Sequence, residues 1–432
     1  MEGCWRCVRF ALPRVNSISR RLLAVLLLYS FTSQFLPIEP YLVPYLTAVK
    51  NFSNYEITVD IFPISVYSQL LCTLLMVPAC CYLSHKVVII LGTFAVLLTY
   101  LIVWFGTSLL AMRLMQIAYG FGMSTRLVYS AYVFLLVHEE EYQSMTSLTT
   151  TISLLSFLLA SELGQCLYLQ RTSYEIFFVL TIISLGICCI MSVMLPKDHL
   201  QSPKSSFIDF SAEKQEGWIS LLKATWNHKT LRILSIWWAV AYAGFSLIQN
   251  YGTNLFDAID SKSKFNGHIL AASQAAGSFG AHYAVYIETL ASKSGLKMYV
   301  LGMVLIGILC LCMGLFRNIW SGYLTYVAIC GIYQTLACLV TARCGRLLSN
   351  GQFILLFSVN TFGGLLFETL LQAVVEISKL SVFAQFIWFS GFFLLSAIVF
   401  IGFDFIGARK SKSATVLLPE AEDEELMSAI AQ

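Results

Sequence analysis

Charge is what this sequence has least of. Aspartate, glutamate, lysine and arginine make up 12% of its 432 residues, about half the share of a soluble domain. Hydrophobic residues make up 58%, a balance that excludes a water-soluble globular protein. The net charge of +3 singles out no partner, and nucleic acid is not expected to be one. A phosphate-binding glycine loop of the Walker type is missing. The polar segments are short and hold no nucleophile–base pair and no metal-ligand spacing, so no enzyme, metal or cofactor is expected. A small-residue cleavage site is also missing after the first apolar run, which reads as an anchor that stays rather than a leader that is removed. Cysteine is not scarce, with 13 residues. Those within apolar runs, such as Cys72, Cys188, Cys310 and Cys338, read as small buried hydrophobes. Cys4 and Cys7 form a lone C-x-x-C without a second pair or a nearby histidine. That argues against zinc and leaves juxtamembrane S-acylation or no modification.

What is present is a series of apolar runs of bilayer length. A basic N-terminal tail, 1–21, carries Arg6, Arg9, Arg14, Arg20 and Arg21. Apolar segments begin at Leu22 and recur near 60–83, 87–105, 109–137, 143–168 and 174–195, each long enough to span. Hydropathy collapses over 196–230 and then returns in six further runs near 231–252, 266–290, 298–316, 319–342, 352–375 and 382–403. The remainder, 405–432, ends in an acidic tail expected to be disordered. The expected fold is therefore an all-α membrane protein of 12 transmembrane helices, in two six-helix bundles (22–195 and 231–404) joined by a polar linker. This is a major-facilitator-like arrangement, with a solute site at the midplane between the halves.

Basic residues set the expected orientation. One side collects the N-terminal tail, Lys86, the linker, Lys293, Lys297, Arg343, Arg346, Arg409, Lys410 and Lys412. The other holds Lys50, Arg171, Lys262, Lys264, Arg317 and Lys379. Both termini and the linker are accordingly expected in the cytosol. The acidic loop His138–Gln143 falls on the same side, and acidic residues contribute little to this rule. The sequon Asn51-Phe52-Ser53 then faces outward, where glycosylation is expected.

Two stretches carry ionisable residues at membrane depth. Leu36–Leu46, LPIEPYLVPYL, has prolines at 37, 40 and 44. Each removes a backbone donor, so the helix must bend or break around Glu39. Ala118–Phe134, AYGFGMSTRLVYSAYVF, has Arg126 at its middle with no acidic residue within a turn. An arginine there must face a bundle interior or a watery cavity and find an anion. The anion is either a glutamate on a neighbouring helix, with Glu162 one candidate, or a solute. Ser124, Thr125, Tyr129 and Tyr132 are expected to surround it with hydroxyls, which suits a hydrated cavity. His282 reads equally as a pore-facing or an interfacial side chain.

Together with KVVIILG (from Lys86), IYQTL (from Ile332) and FSVNTF (from Phe357), these two stretches resemble the reduced-folate and thiamine carrier family. The resemblance runs from about Leu26 to Gly402. It implies a plasma-membrane secondary carrier for a water-soluble vitamin-like solute, driven by exchange or an ion gradient. Carried over by position, Arg126 matches the arginine of folate carriers, where thiamine carriers are acidic, and a guanidinium favours an anionic ligand. Glu39 matches a glutamate that contacts the pterin or aminopyrimidine ring, and Asn266 an asparagine facing the same pocket. Tyr129 and Asn250 join this expected substrate site. The departures are Cys330, where folate carriers have arginine, and Glu368, where they have lysine. A tyrosine-rich face is thinned to Phe245, Ser246 and Asn250, and Cys81 replaces an aspartate. Two cations lost and one anion gained remove much of the field suited to a folate dianion. Folate transport itself is thus expected to be weak or absent. A thiamine-type or other heterocyclic vitamin carrier is the next reading, and a non-transporting ligand-binding receptor the reading of another class.

Overall fold

This computed structural model describes residues 15–53, 56–197, 223, 226, 228–260, 265–348, 353–378 and 380–403. The tail through Arg14 with Cys4 and Cys7, nearly all of the 196–230 linker, and the acidic tail from Asp404 lie outside the described residues. The regular structure among the described residues is helical. The first half comprises α1 (Arg20–Thr32), α2 (Leu42–Ala48), α3 (Phe62–Leu83), α4 (His85–Phe105), α5 (Leu109–Leu136), α6 (Tyr142–Leu169) and α7 (Tyr174–Met194). The second half comprises α8 (Lys229–Ile259), α9 (Asn266–Ser294), α10 (Lys297–Leu315), α11 (Ile319–Arg346), α12 (Phe353–Ile377) and α13 (Val382–Phe403).

Among the described residues, nine of these helices are long and apolar enough to cross a membrane. The sequence leads one to expect twelve spans. The three that fall short are the broken α1–α2 segment and α5 and α9, whose 28 and 29 residues exceed bilayer length. Both α5 and α9 are diluted by polar side chains, from Gln116 to Arg126 on one and from His268 to His282 on the other. Large apolar side chains lie bare on the outer faces, Leu71 at 64% and Phe94 at 61% exposure, as a lipid-facing surface requires.

The prolines break the first span where the sequence places them. Ser19 caps α1 by accepting from Leu22 N (3.2 Å), and the helix stops at Thr32. The carbonyls this frees are taken by serines of the neighbouring helices. Ser153 Oγ donates to Ser30 O (3.3 Å), Ser156 Oγ to Phe31 O (2.5 Å) and Ser184 Oγ to Thr32 O (2.9 Å). An unwound backbone is tolerable at this depth only with such partners. The chain restarts as a single tight turn over Glu39–Tyr41, with Pro40 near its start, and continues as α2. Gly164 of α6 admits the break, since a Cβ there would stand 2.8 Å from Pro37 O. Tyr41 and Tyr45 then anchor the segment against Phe177, Phe178 and Tyr174 of α7.

The halves meet along α6 with α9 and α11, α3 with α12, and α5 with α12. The space they enclose contains the candidate site.

Candidate functional site

Three adjoining compartments of about 450, 460 and 340 Å³ lie between the halves, and Arg126 lines all of them. Its position follows from the packing of α5 on α4. Gly92 lets the helices approach so closely that a Cβ there would stand 1.9 Å from Thr125 Oγ1. The next residue is thereby turned into the cavity, and Arg126 is exposed to it. Gly122, Thr125, Arg126, Tyr129, Ser130 and Val133 share this wall, the i, i+3, i+4, i+7 spacing of one helical face.

The guanidinium has a neutral partner. With the Gln34 amide oriented to present its oxygen, Nη1 and Nη2 of Arg126 donate to Gln34 Oε1 at 2.8 and 3.0 Å. Gln34 lies in the unwound stretch after α1, so the proline-driven break delivers it. Among the described residues Arg126 forms no ion pair. This answers the first alternative: Glu162 does not hold Arg126 but faces His268 of α9 at 3.1 Å.

The other expected site residues are distributed as follows. Glu39 lines the first compartment with Arg126 and accepts from Tyr119 Oη at 3.3 Å. Tyr129 lines two compartments, its hydroxyl donating to Leu26 O (2.8 Å) and sharing a bond with Ser30 Oγ (2.9 Å). Glu368 is 5% exposed and sits one layer behind the wall. It accepts from Ser246 Oγ at 2.6 Å and Asn250 Nδ2 at 3.1 Å, and Ser246 itself lines the second compartment. Glu368 is therefore not paired with Arg126, and Asn250 serves Glu368. Cys330 is buried, at 2% exposure, and lies off all three walls. Asn266 opens α9, and its side chain is outside what the structure describes.

The hydroxyl collar is half of what was expected. Thr125 and Tyr129 reach the cavity, but Ser124 turns to α3, donating to Gly120 O and Gln69 O (2.9 and 3.1 Å). Tyr132 points to the far end of the half and donates to Pro196 O (2.7 Å). His282 is buried beside Tyr283 and Tyr286 and lines none of the three compartments.

The sequence reading missed the glutamines. Gln34, Gln249, Gln274 and Gln334 come from four separate segments and line one compartment together. Each is an uncharged amide within a largely apolar run, which was the available signal. Of the aromatic wall the sequence reading named Phe245 alone, on a face it took to be thinned. Trp238 stacks on Tyr242 (5.3 Å, 8°) and Phe245 on Tyr333 (3.7 Å, 11°), all four lining the second compartment.

Both ends of the cavity are crossed by contacts between halves. At the end near Asn51, His268 meets Glu162. At the other, Arg346 of α11 donates to Glu139 O (3.0 Å) and Glu140 O (3.4 Å) of the α5–α6 loop, and pairs with Glu288 of α9. Arg343 donates to Gly295 O (3.2 Å) at this same end. Neither arginine reaches the cavity to replace the cations missing at 330 and 368. The arrangement suits binding and passage of a solute.

The chain matches the profile of the family described as reduced folate carrier over residues 20–216 and 197–388. It is 26% identical to thiamine transporter 2 of Homo sapiens, covering 87% of this chain and 88% of that protein. It is 28% identical to the reduced folate transporter of Mus musculus, covering 99% and 87%. In structure it is similar to the human organic anion transporter MFSD10 (TETRAN), with a TM-score of 0.61, 16% identity, and 88% and 99% of the two chains covered. The fold is thus of the major-facilitator type, in an all-helical, multi-pass membrane protein.

Proposed function

We propose that this chain, which belongs to the reduced folate carrier family, is a plasma-membrane secondary carrier of a vitamin-like heterocyclic solute that handles folate itself weakly or not at all. One observation carries the reading. Among the described residues, Arg126 is the sole lysine or arginine on the walls of the three compartments, and the partner that holds it is a neutral amide. A folate dianion would find one cation, with Glu368 behind the opposite wall. The solute binds with its anionic group on Arg126 and its ring donors on Glu39. The two halves rock about it, exchanging the His268–Glu162 contact for the Arg346 contacts.

Twelve spans in a 6+6 arrangement go with this reading, the broken α1–α2 segment, α5 and α9 completing the nine. Basic-residue placement supports cytosolic termini and linker, and Asn51, exposed in its loop, is the glycan site.

A thiamine-type carrier is the second reading, favoured by two carboxylates that accept from neutral donors, Glu39 on the cavity wall and Glu368 one layer behind it. The test is uptake of labelled folate, methotrexate and thiamine by cells expressing the chain. The expected result is saturable uptake of a heterocyclic vitamin with folate and methotrexate near background. Robust folate uptake overturns the selectivity, and binding without any uptake turns the protein into a receptor.

A further inference from the structure

The charges of the cavity are segregated, and the segregation points to a narrower class of cargo than the family's range. Among the described residues, Arg126 and Glu39 are the charged side chains on the walls, and both belong to the first half. The second half offers flat rings and amides: the Trp238–Tyr242 and Phe245–Tyr333 stacks, with Gln249 and Gln334 beside them. We infer that the cargo is a flat heteroaromatic compound carrying a single carboxylate, a reading that rests on the carrier function proposed above.

The carboxylate takes the guanidinium, whose planar fork matches it in two parallel bonds, and in doing so displaces Gln34. The ring edge, bearing N–H donors, takes Glu39, which the Tyr119 hydroxyl leaves with open acceptor sites. The ring body lies on the aromatic wall, where aromatic faces prefer offset contact. The glutamines of the second half serve either a donor or an acceptor on the ring. A second carboxylate has nowhere to go. Beyond Arg126 it meets neutral side chains among the described residues, and the buried carboxylate of Glu368 stands one hydrogen bond behind Ser246. Removing the carboxylate altogether leaves Arg126 exposed to the cavity with an amide as its partner, so a neutral or cationic ring forfeits the strongest contact.

The probes are pteroate and pterin-6-carboxylate, each with one carboxylate. Folate carries the same ring and two carboxylates, and thiamine is a cation without any. Saturation uptake is measured with the full chain in proteoliposomes, alongside thermal stabilisation of the purified protein by each compound. A monocarboxylate is expected to be bound and moved at least ten times better than folate, with the preference lost in Arg126→Gln. Gln249→Lys, which adds a second cation to the wall, is expected to raise folate tenfold or more relative to the monocarboxylate. Gln334→Lys serves the same purpose if the first variant does not express. Folate as good as either monocarboxylate, or thiamine alone, overturns this inference and leaves the carrier reading standing. No binding and no uptake of any of the four overturns both.

Discussion

Replacing Arg126 by alanine separates a ligand-binding arginine from a structural one, because its partner here is Gln34. Were Arg126 half of a buried ion pair, its removal would strand a carboxylate and cost roughly 3–5 kcal/mol of stability. The structure gives it two bonds to one amide oxygen, at 2.8 and 3.0 Å, in a cavity to which the guanidinium is exposed. Water replaces that bond, so the loss of stability is about 1 kcal/mol or less. The loss of cargo affinity is larger. A charge-assisted bond contributes about 1.5–3 kcal/mol, and each ~1.4 kcal/mol is tenfold in affinity. Arg126→Ala is therefore expected to weaken binding of an anionic cargo by about ten- to more than a hundredfold, with surface expression and melting temperature nearly unchanged. Surface biotinylation, thermal unfolding of purified protein and uptake kinetics on the same variant read all three quantities. A variant that melts many degrees lower, or that transports with unchanged KM, refutes the argument.

The buried thiol of Cys330 lies off the cavity walls, so Cys330→Arg is expected to bury an unpaired cation at a cost of several kcal/mol. Loss of surface expression checks this, and a well-expressed variant with gained folate uptake contradicts it. Gly164→Ala pushes a methyl to within 2.8 Å of Pro37 O. Overpacking of this kind costs about 1–3 kcal/mol, and displacing the unwound segment should also reduce uptake by moving Gln34 and Glu39; unaltered kinetics would show that the break tolerates the shift. Asn51→Gln is expected to abolish the gel shift seen on enzymatic deglycosylation, and a glycan retained in that variant would refute the assignment of the outer face.

The break in the first span was legible because proline acts through local covalent geometry: three prolines within eight residues, at 37, 40 and 44, remove three backbone donors over successive turns, whereas the lone Pro78 is accommodated inside α3. Arg126 was legible because the membrane penalises charge regardless of neighbours. The partners were not legible, since they depend on which faces meet. Ser124 lies two residues, some 200° of helix, from Arg126, and so packs on α3 instead of joining the cavity. Tyr132 is turned away for the same reason, whereas Tyr129 and Ser130 share the face of Arg126. The pairing of Glu162 with His268, and of Glu368 with Ser246 and Asn250, required two elements far apart in the chain to be placed side by side. No periodicity on one helix encodes that. The glutamines were overlooked because an amide carries no charge and so does not stand out as Arg126 does.

The two closures differ in what happens to charge when the halves part. His268 and Glu162 sit on opposite halves, so opening that end separates them. They are 44% and 40% exposed, and such a pair contributes only about 0–1 kcal/mol. Arg346 keeps Glu288, which rides on its own half, and releases only the carbonyls of Glu139 and Glu140 to water. Neither opening strands a buried ion. The inward- and outward-facing forms can then lie within a few kcal/mol of each other, so that a cargo spanning Arg126 and the aromatic wall holds enough differential affinity to decide which form prevails.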